Sequence, residues 1–119
     1  MDITKVIGEM KKEPGFSENV GMVLVHNGVV RGWSRQDHKT VAWIDVAVDA
    51  HRGESLRKEY SQKPGIYKIL IECRAGRLRP GDDLLFIVVA GDIRENVKPV
   101  LSELLDRVKS EAVTKTELL

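Results

Sequence analysis

Apolar residues recur at helical spacing in three parts of the chain. Positions three and four residues apart are apolar over residues 3–10, 53–63 and 96–109, and each range is predicted to form an amphipathic helix. The last range has the clearest pattern, because its apolar residues form one continuous stripe. Asn96 is a suitable N-cap for this helix, which would place Pro99 in the first turn, where a missing N–H costs nothing.

Runs of β-branched and aliphatic residues predict five strands, whose ranges are 20–25, 40–48, 66–73, 84–90 and 113–118. The fourth run is continuously apolar, which is typical of a strand covered on both faces. Asn27-Gly28 follows the first strand and fits two different structures. It either forms a tight hairpin turn or marks a bulge, beyond which the strand continues through Val29 and Val30.

Strands outnumber helices in the predicted order, which is α, β, β, α, β, β, α, β. Some connections carry clear turn signals, such as Pro80-Gly81. This order predicts an α+β fold with three helices and a largely antiparallel sheet. A length of 119 residues is that of one ordinary domain, so residues 1–119 are expected to form a single domain.

Composition and charge exclude several classes of protein. Hydrophobic residues make up 42% of the chain and charged residues 31%, as in ordinary globular proteins. The formal net charge is only +1, so no nucleic-acid or membrane partner is expected. The single cysteine, Cys73, cannot form an intramolecular disulfide, and residues 1–12 lack the apolar core of a signal peptide. We therefore expect a cytoplasmic protein.

Motifs for common cofactors and for hydrolytic chemistry are missing from the sequence. It contains no GxxxxGK[ST] loop, no GxGxxG and no GxSxG. The three histidines, His26, His38 and His51, are scattered and do not show metal-ligand spacing. Cys73 falls within a predicted strand, which favours a buried, unreactive thiol. No cofactor and no metal site are expected.

Basic residues near the ends of predicted elements are the best candidates for binding chemistry. Arg94 precedes the last helix, where free backbone N–H groups attract anions, and Lys109 ends that helix. Lys115 and Glu117 are two residues apart and therefore share one face of the final strand. Arg31 follows the first strand. The spacing alone favours ordinary solvated surface charges, which is the usual role of lysine and arginine.

Two stretches of the sequence resemble the large, catalytic subunit of molybdopterin synthase. The first begins with R-A-G-R-L-R-P-G-D-D at 74–83 and continues with an apolar strand, Arg94, a helix ending in Lys109, and K-T-E at 115–117. The family pattern is R-x-G-x-L-x-P-G-[DE], a strand, a His-Arg pair, a helix ending in lysine, and K-x-E. The second stretch, residues 20–31, is similar to the family's G-x-V-x-x-x-G-x-V-R strand and turn. The chain is identified as a divergent and C-terminally short member of this family.

The resemblance implies an α/β-hammerhead type of fold and a sulfurtransferase function. Family members dimerise, and each copy binds a small ubiquitin-like sulfur carrier whose C-terminal Gly-Gly tail ends in a thiocarboxylate. Sulfur passes to a cyclic pyranopterin monophosphate, which builds the dithiolene of molybdopterin. The implied partners are this carrier, the pterin monophosphate and a second copy of the chain, in a heterotetramer built on a homodimer.

Individual residues match functional positions of the family. Lys109 matches its essential lysine and Lys115 its second active-site lysine, so the resemblance implies that these two are catalytic. Arg31, Arg94 and Glu117 match positions associated with binding the anionic substrate. Arginine binds phosphate through a planar fork, and a partly desolvated lysine among other cations has a lowered pKa that suits proton transfer.

Several positions depart from the family pattern. Ile93 stands where the pattern has histidine, and the spacing from Lys109 to Lys115 is one residue shorter than usual. The sequence also ends at Leu119, before the tail that family members carry. These departures surround the expected pocket rather than the core. They leave a second hypothesis open, in which the chain is a non-catalytic relative that binds a pterin or a protein partner.

Overall fold

The computed structural model describes residues 1–118, which form four helices and six strands. The helices are α1 (Ile3–Met10), α2 (Phe16–Asn19), α3 (Ala50–Ser61) and α4 (Arg94–Glu111). The strands are β1 (Met22–Val29), β2 (Trp43–Val48), β3 (Ile66–Cys73), β4 (Gly76–Leu78), β5 (Asp83–Gly91) and β6 (Val113–Leu118). Within the described residues, no helix combines the length and the apolar character needed to cross a lipid bilayer.

The strands form two three-stranded sheets, in which every neighbouring pair is antiparallel. The first sheet has the order β1-β5-β3, so β5 lies in the middle. The second has the order β4-β2-β6. Ile44 on β2 lies opposite Leu78 of β4 on one side and opposite Glu117 of β6 on the other. This pairing positions the C-terminal strand, which carries two of the expected site residues.

Alternate residues of β5 face two different hydrophobic clusters. Ile87 and Val89 belong to the larger cluster, which includes the apolar face of α4. Val88 and Ala90 instead pack with Met10 of α1. All four β5 residues are fully buried. This arrangement explains the continuous apolar run predicted for the strand, because a strand covered on both faces has no solvent side.

Several sequence-based predictions are confirmed. The mixed architecture of helices and antiparallel sheet is present, and the predicted bounds of α1, β3 and β6 agree with those observed. β1 continues through Asn27 and Gly28, with a register shift between Gly28 and Val29. The strand thus continues past Asn27-Gly28 with an irregular register, but it ends at Val29 and does not include Val30. The hairpin interpretation is wrong, because β1 pairs with β5 and not with the next strand in sequence.

The number of elements differs from the prediction. There are four helices rather than three, because residues 16–19 form the additional single turn α2. The turn-rich segment after β3 contains the short strand β4, which pairs with β2. Both elements are too short to show a periodic pattern of apolar residues, so the sequence gives no signal for them.

The start of α4 also differs from the prediction. The helix begins at Arg94, and the carbonyl oxygen of Ile93 accepts hydrogen bonds from the backbone N–H groups of Asn96 and Val97. Ile93 is therefore the N-cap, and Asn96 lies within the first turn, where its side chain donates to Asp92. As a result, Pro99 falls in the second turn of the helix rather than in the first.

Candidate functional site

A cavity of about 190 Å³ lies where the C-terminal end of α4, the end of β1 with its following loop, and β6 come together. Its charged lining residues are Arg31, Arg35, Lys109, Lys115 and Glu117. Its other lining residues include His26, Val30, Trp33, Ile44, Leu84 and Leu85. Four cations and one carboxylate give the cavity a positive potential, so it suits an anionic ligand that also has an apolar part.

Lys115 and Glu117 reach the cavity because β6 pairs with β2. Lys115 lies opposite Val46, and Glu117 lies opposite Ile44. Side chains two residues apart on a strand point to the same face, so the two charged residues lie on one side of β6. Lys109 approaches from the last turn of α4, where the partial negative charge of the helix C-terminus favours a cation.

The loop that follows β1 contributes the arginines. The Arg31 guanidinium lies 5.0 Å from the centre of the Trp33 ring, and this ring stacks on His38 with 4.9 Å between centroids. His38 has a φ of 56°, and its backbone N–H donates to the carbonyl oxygen of Ser34. These contacts hold the loop in a turned conformation that brings Arg35 back to the cavity.

Burial and nearby cations lower the pKa of Lys115. Desolvation by burial is the largest cause of its lowered pKa, and the neighbouring cations of Lys109, Arg31 and Arg35 lower it further. The carboxylate of Glu117 acts in the opposite direction. A lysine in such surroundings exchanges a proton more readily near neutral pH than a solvated lysine does.

His26 carries a polar atom that lacks a partner. The residue is half-buried on β1, and its Nε2 atom is buried without a hydrogen-bond partner among the described residues. Burial lowers the pKa of the His26 imidazole, and the ammonium group of Lys109 lowers it further. The imidazole is therefore neutral at pH 7, since its ordinary pKa is already 6.5.

Four of the five expected site residues meet at this cavity, and Arg94 does not. Arg31, Lys109, Lys115 and Glu117 line it together. Arg94 is the first residue of α4, whereas Lys109 is in its last turn. At a rise of about 1.5 Å per residue, the two lie roughly 22 Å apart along the helix axis. The Arg94 side chain is 79% exposed and pairs with Glu95. Arg94 therefore does not line this cavity within one chain, and its role in substrate binding stays a prediction.

Sequence reasoning missed three residues of the cavity. Arg35 and Trp33 lie in a polar loop whose path has no periodic signal, so only the folded chain shows where they point. The sequence did give a signal for His26. It lies two residues before Gly28, and residues two apart on a strand share one face. His51 lies in α3 and does not line the cavity.

Cys73 borders a second cavity of about 180 Å³ between α3, α4, β3 and β6. Burial raises the pKa of its thiol, although the ammonium of Lys115 acts in the opposite direction. A thiol with a raised pKa is protonated at neutral pH, which agrees with the predicted unreactive cysteine. Across residues 1–118, no group of three or more His, Cys, Asp or Glu side chains is arranged to hold a metal ion.

The solved structures that share this fold include the following three. Molybdopterin synthase from Staphylococcus aureus has a TM-score of 0.72 and 21% identity over 83% of this chain and 74% of the other. A molybdopterin biosynthesis MoaE protein from Burkholderia ambifaria has a TM-score of 0.77 and 21% identity over 97% and 75%. A complex of subunits 1 and 2 of molybdopterin-converting factor from Helicobacter pylori gives 0.72 and 16% over 100% and 80%.

Sequence comparison agrees with the structural similarity. A search of curated proteins finds no match to this sequence. The family model for the MoaE protein, however, matches residues 1–111, which is most of the chain. The resemblance that begins at residues 74–83 and extends to Lys109 is thus confirmed at the level of the family. The chain belongs to the MoaE protein family, and its role is in molybdenum cofactor biosynthesis.

Proposed function

We propose that this chain is the sulfur-transferring subunit of a molybdopterin synthase, and that its catalytic centre is the cationic cavity. One observation carries the proposal. Arg31, Lys109, Lys115 and Arg35 come from a loop, a helix and a strand that are distant in sequence, yet all four line one cavity. A MoaE family member has no structural need for such a cluster, because like charges in proximity destabilise the folded state.

The proposed reaction transfers sulfur from a carrier thiocarboxylate to a cyclic pyranopterin monophosphate. In each transfer the sulfur forms a C–S bond to a pterin carbon as the C–O bond at that carbon breaks, and the oxygen leaves as water or as an oxygen of the opened cyclic phosphate. Water then cleaves the bond between the sulfur and the acyl carbon, which leaves the carrier with a carboxylate. Two transfers supply the two sulfurs of the dithiolene. Negative charge develops on the reacting oxygen and sulfur atoms, and cations placed beforehand around them stabilise it.

Each charged residue of the cavity has a role in this proposal. Arg31 and Arg35 bind the phosphate, since guanidinium groups match phosphate oxygens in geometry and charge. Lys115 transfers a proton, which its lowered pKa favours. Lys109 stabilises the anion formed during attack, and Glu117 holds the Lys115 ammonium in place from the same face of β6.

The proposed protein partner is a small ubiquitin-like carrier with a Gly-Gly C-terminus. The Helicobacter pylori structure is itself a complex of two subunits of molybdopterin-converting factor. Two apolar residues at the edge of the cavity, Val29 and Trp33, are 48% and 43% exposed, which suits contact with a partner. Glycine lacks a side chain, so a Gly-Gly tail is narrow enough to enter a cavity of this size.

Arg94 takes part in this proposal only through a second copy of the chain. Within one chain it lies at the far end of α4 from Lys109. We propose a homodimer in which Arg94 of one copy reaches the cavity of the other, as the core of a heterotetramer with two carriers. We place the reaction in the cytoplasm, which agrees with a free, protonated Cys73 thiol.

Reconstitution tests the proposed reaction. Purified protein, thiocarboxylated carrier and cyclic pyranopterin monophosphate should yield molybdopterin. Lys109→Ala and Lys115→Ala should each lower the rate by about a hundredfold or more, which is the scale of general acid–base and electrostatic contributions. Lys98→Ala is the matched control, because Lys98 is an exposed lysine of the same helix that does not line the cavity. Folded wild-type protein that binds carrier without making product would contradict the proposal.

One observation favours a second candidate function, a non-catalytic relative that binds a pterin or a protein partner. Ile93 occupies the position where the family pattern has histidine, and it is 53% exposed. An exposed isoleucine offers no hydrogen bond to a polar substrate. In this case wild-type protein would bind the pterin monophosphate without turnover, and Lys109→Ala would leave its affinity largely unchanged.

A further inference from the structure

The cationic cavity is polar on one side and apolar on the other. Its charged residues, Arg31, Arg35, Lys109, Lys115 and Glu117, are all solvent-exposed. Its buried lining residues are all apolar, namely Val30, Ile44, Leu84 and Leu85. A ligand with a phosphate and a ring therefore fits in one orientation, with the phosphate toward the exposed cations and the ring toward the buried apolar residues.

His26 supplies a polar atom among these apolar residues. Its Nε2 atom is buried and lacks a hydrogen-bond partner among the described residues. Buried polar atoms are nearly always paired in folded proteins, because an unpaired one loses its bonds to water without replacement. An unpaired nitrogen at the wall of an open cavity is therefore placed to bond with whatever enters the cavity.

The backbone of Gly28 lies close to this nitrogen. A Cβ atom at residue 28 would lie 3.0 Å from His26 Nε2, 3.5 Å from the Leu85 carbonyl oxygen and 3.6 Å from Leu85 Cβ. Any side chain at this position would thus press against the imidazole and occupy the space in front of Nε2. His26 and Gly28 lie on the same face of β1 and line the same cavity.

We propose that His26 determines specificity for the heterocyclic ring of the ligand, by forming a hydrogen bond between Nε2 and the polar edge of that ring at the apolar side of the cavity. This inference rests on the proposed function, which supplies a pterin as the ring. The exposed cations then bind the phosphate, and His26 distinguishes a pterin monophosphate from other phosphates of similar charge.

The protonation state of His26 supports a ring contact rather than a phosphate contact. Burial and the Lys109 ammonium both lower the pKa of the imidazole, so it is neutral at pH 7. The charged groups that line the same cavity are Lys109 from α4, Lys115 and Glu117 from β6, and the two loop arginines. A neutral imidazole among these cations adds little to phosphate binding, whereas a neutral hydrogen bond suits an uncharged heterocycle.

Calorimetric titration with two probes tests this assignment. A stable pterin monophosphate carries both ring and phosphate, whereas inorganic phosphate carries only the charge. His26→Phe keeps an aromatic ring but removes the hydrogen bond, so it should weaken pterin monophosphate binding roughly five- to tenfold and leave inorganic phosphate binding within about twofold. His26→Gln restores a polar group at a similar distance and should recover part of the lost affinity.

A second variant tests the same contact without changing His26 itself. Gly28→Ala should weaken binding of the pterin monophosphate while leaving inorganic phosphate binding unchanged, because the added methyl group lies 3.0 Å from His26 Nε2 and blocks its contact with the ring. His51→Phe is the matched control, since this histidine lies in α3 away from the cavity. Thermal unfolding of every variant verifies that it is folded.

The outcomes separate this inference from the proposed function. Wild-type affinity of folded His26→Phe for the pterin monophosphate, or an equal loss for both probes, overturns the ring contact. A ring-specific loss in a protein that never transfers sulfur supports the ring contact and overturns only the proposed reaction. A wild-type protein that binds the pterin monophosphate no better than inorganic phosphate overturns both.

Discussion

The imidazole of His26 and the ammonium group of Lys109 face one cavity, although they belong to the first strand and the last helix of the chain. Burial and then the charge of Lys109 lower the pKa of His26. The two side chains therefore couple the first strand and the last helix electrostatically at the candidate site. Titration of His26 measures the strength of this electrostatic interaction.

Removing the charge of Lys109 should raise the pKa of His26. In Lys109→Met the pKa should stay below 6.5, because burial, the larger cause of the shift, remains. Histidine ring resonances followed by NMR from pH 4 to 8 measure this directly. Lys98→Met serves as the control and should leave His26 unchanged, since Lys98 does not line the cavity. An unchanged pKa of His26 in Lys109→Met would show that the two groups do not interact.

The pKa of Lys115 should respond in opposite directions to two substitutions. Glu117→Gln removes the carboxylate that raises it, so the pKa of Lys115 should fall further. Lys109→Met removes a cation that lowers it, so the pKa should rise. The rate at which an amine-directed reagent modifies Lys115, measured by peptide mass spectrometry across pH, reports both changes. Shifts of the same sign in the two variants would contradict the proposed arrangement of charges.

An ion-pair network centred on Glu111 should make stability fall in acid. Its carboxylate accepts hydrogen bonds from Arg107 and Arg52, and these contacts with both guanidinium groups hold the pKa of Glu111 at about 2, against an ordinary 4.5. A lowered carboxyl pKa stabilises the folded state above pH 4.5, and this contribution is lost as the pH falls toward 2.

The difference in stability between the wild type and Glu111→Gln should therefore shrink as the pH is lowered from about 5 to 2. Urea unfolding at a series of pH values measures this difference. Glu103→Gln, a matched change on an exposed part of α4, should show a much smaller dependence. A difference that is constant across the range would mean that the network does not contribute in solution.

Two glycine substitutions should change stability in opposite directions. A Cβ at Gly91 would lie 2.6 Å from the Gly65 carbonyl oxygen and 2.6 Å from Val97 Cγ2, so Gly91→Ala should lower the free energy of unfolding by about 1–3 kcal/mol. A Cβ at Gly53 meets nothing within 4 Å inside α3. Gly53→Ala should raise the free energy of unfolding by about 0.5–1 kcal/mol. The urea unfolding midpoint should be lower than that of the wild type for Gly91→Ala and higher for Gly53→Ala.

Subunit mixing tests whether Arg94 acts across a dimer. Arg94→Ala and Lys109→Ala should each be inactive alone. If Arg94 serves the partner's cavity, each mixed dimer has one intact cavity, so random exchange should restore roughly one quarter of the wild-type rate. If Arg94 has no role in the reaction, Arg94→Ala alone retains full activity. If it acts within its own chain, each mixed dimer has no intact cavity and mixing restores nothing.

The sequence by itself determined most of the local structure. Apolar periodicity identified α1, β3 and β6 with their observed bounds, and the continuous run of β5 indicated a strand buried on both faces. The residues at 74–83, Lys109 and 115–117 identified the family. These features are readable because helix and strand periods, and motif spacing, depend on residues that are near one another in the chain.

Only the tertiary structure determines which residues come together at the candidate site. Whether Asn27-Gly28 turns or bulges depends on β5 as the pairing partner, and the path of the loop holding Arg35 depends on stacking between Trp33 and His38. The rigid length of α4 separates Arg94 from Lys109, although the resemblance assigns them to one pocket. Which charges meet is set by strand pairing and helix packing between distant segments, and no local pattern encodes those contacts.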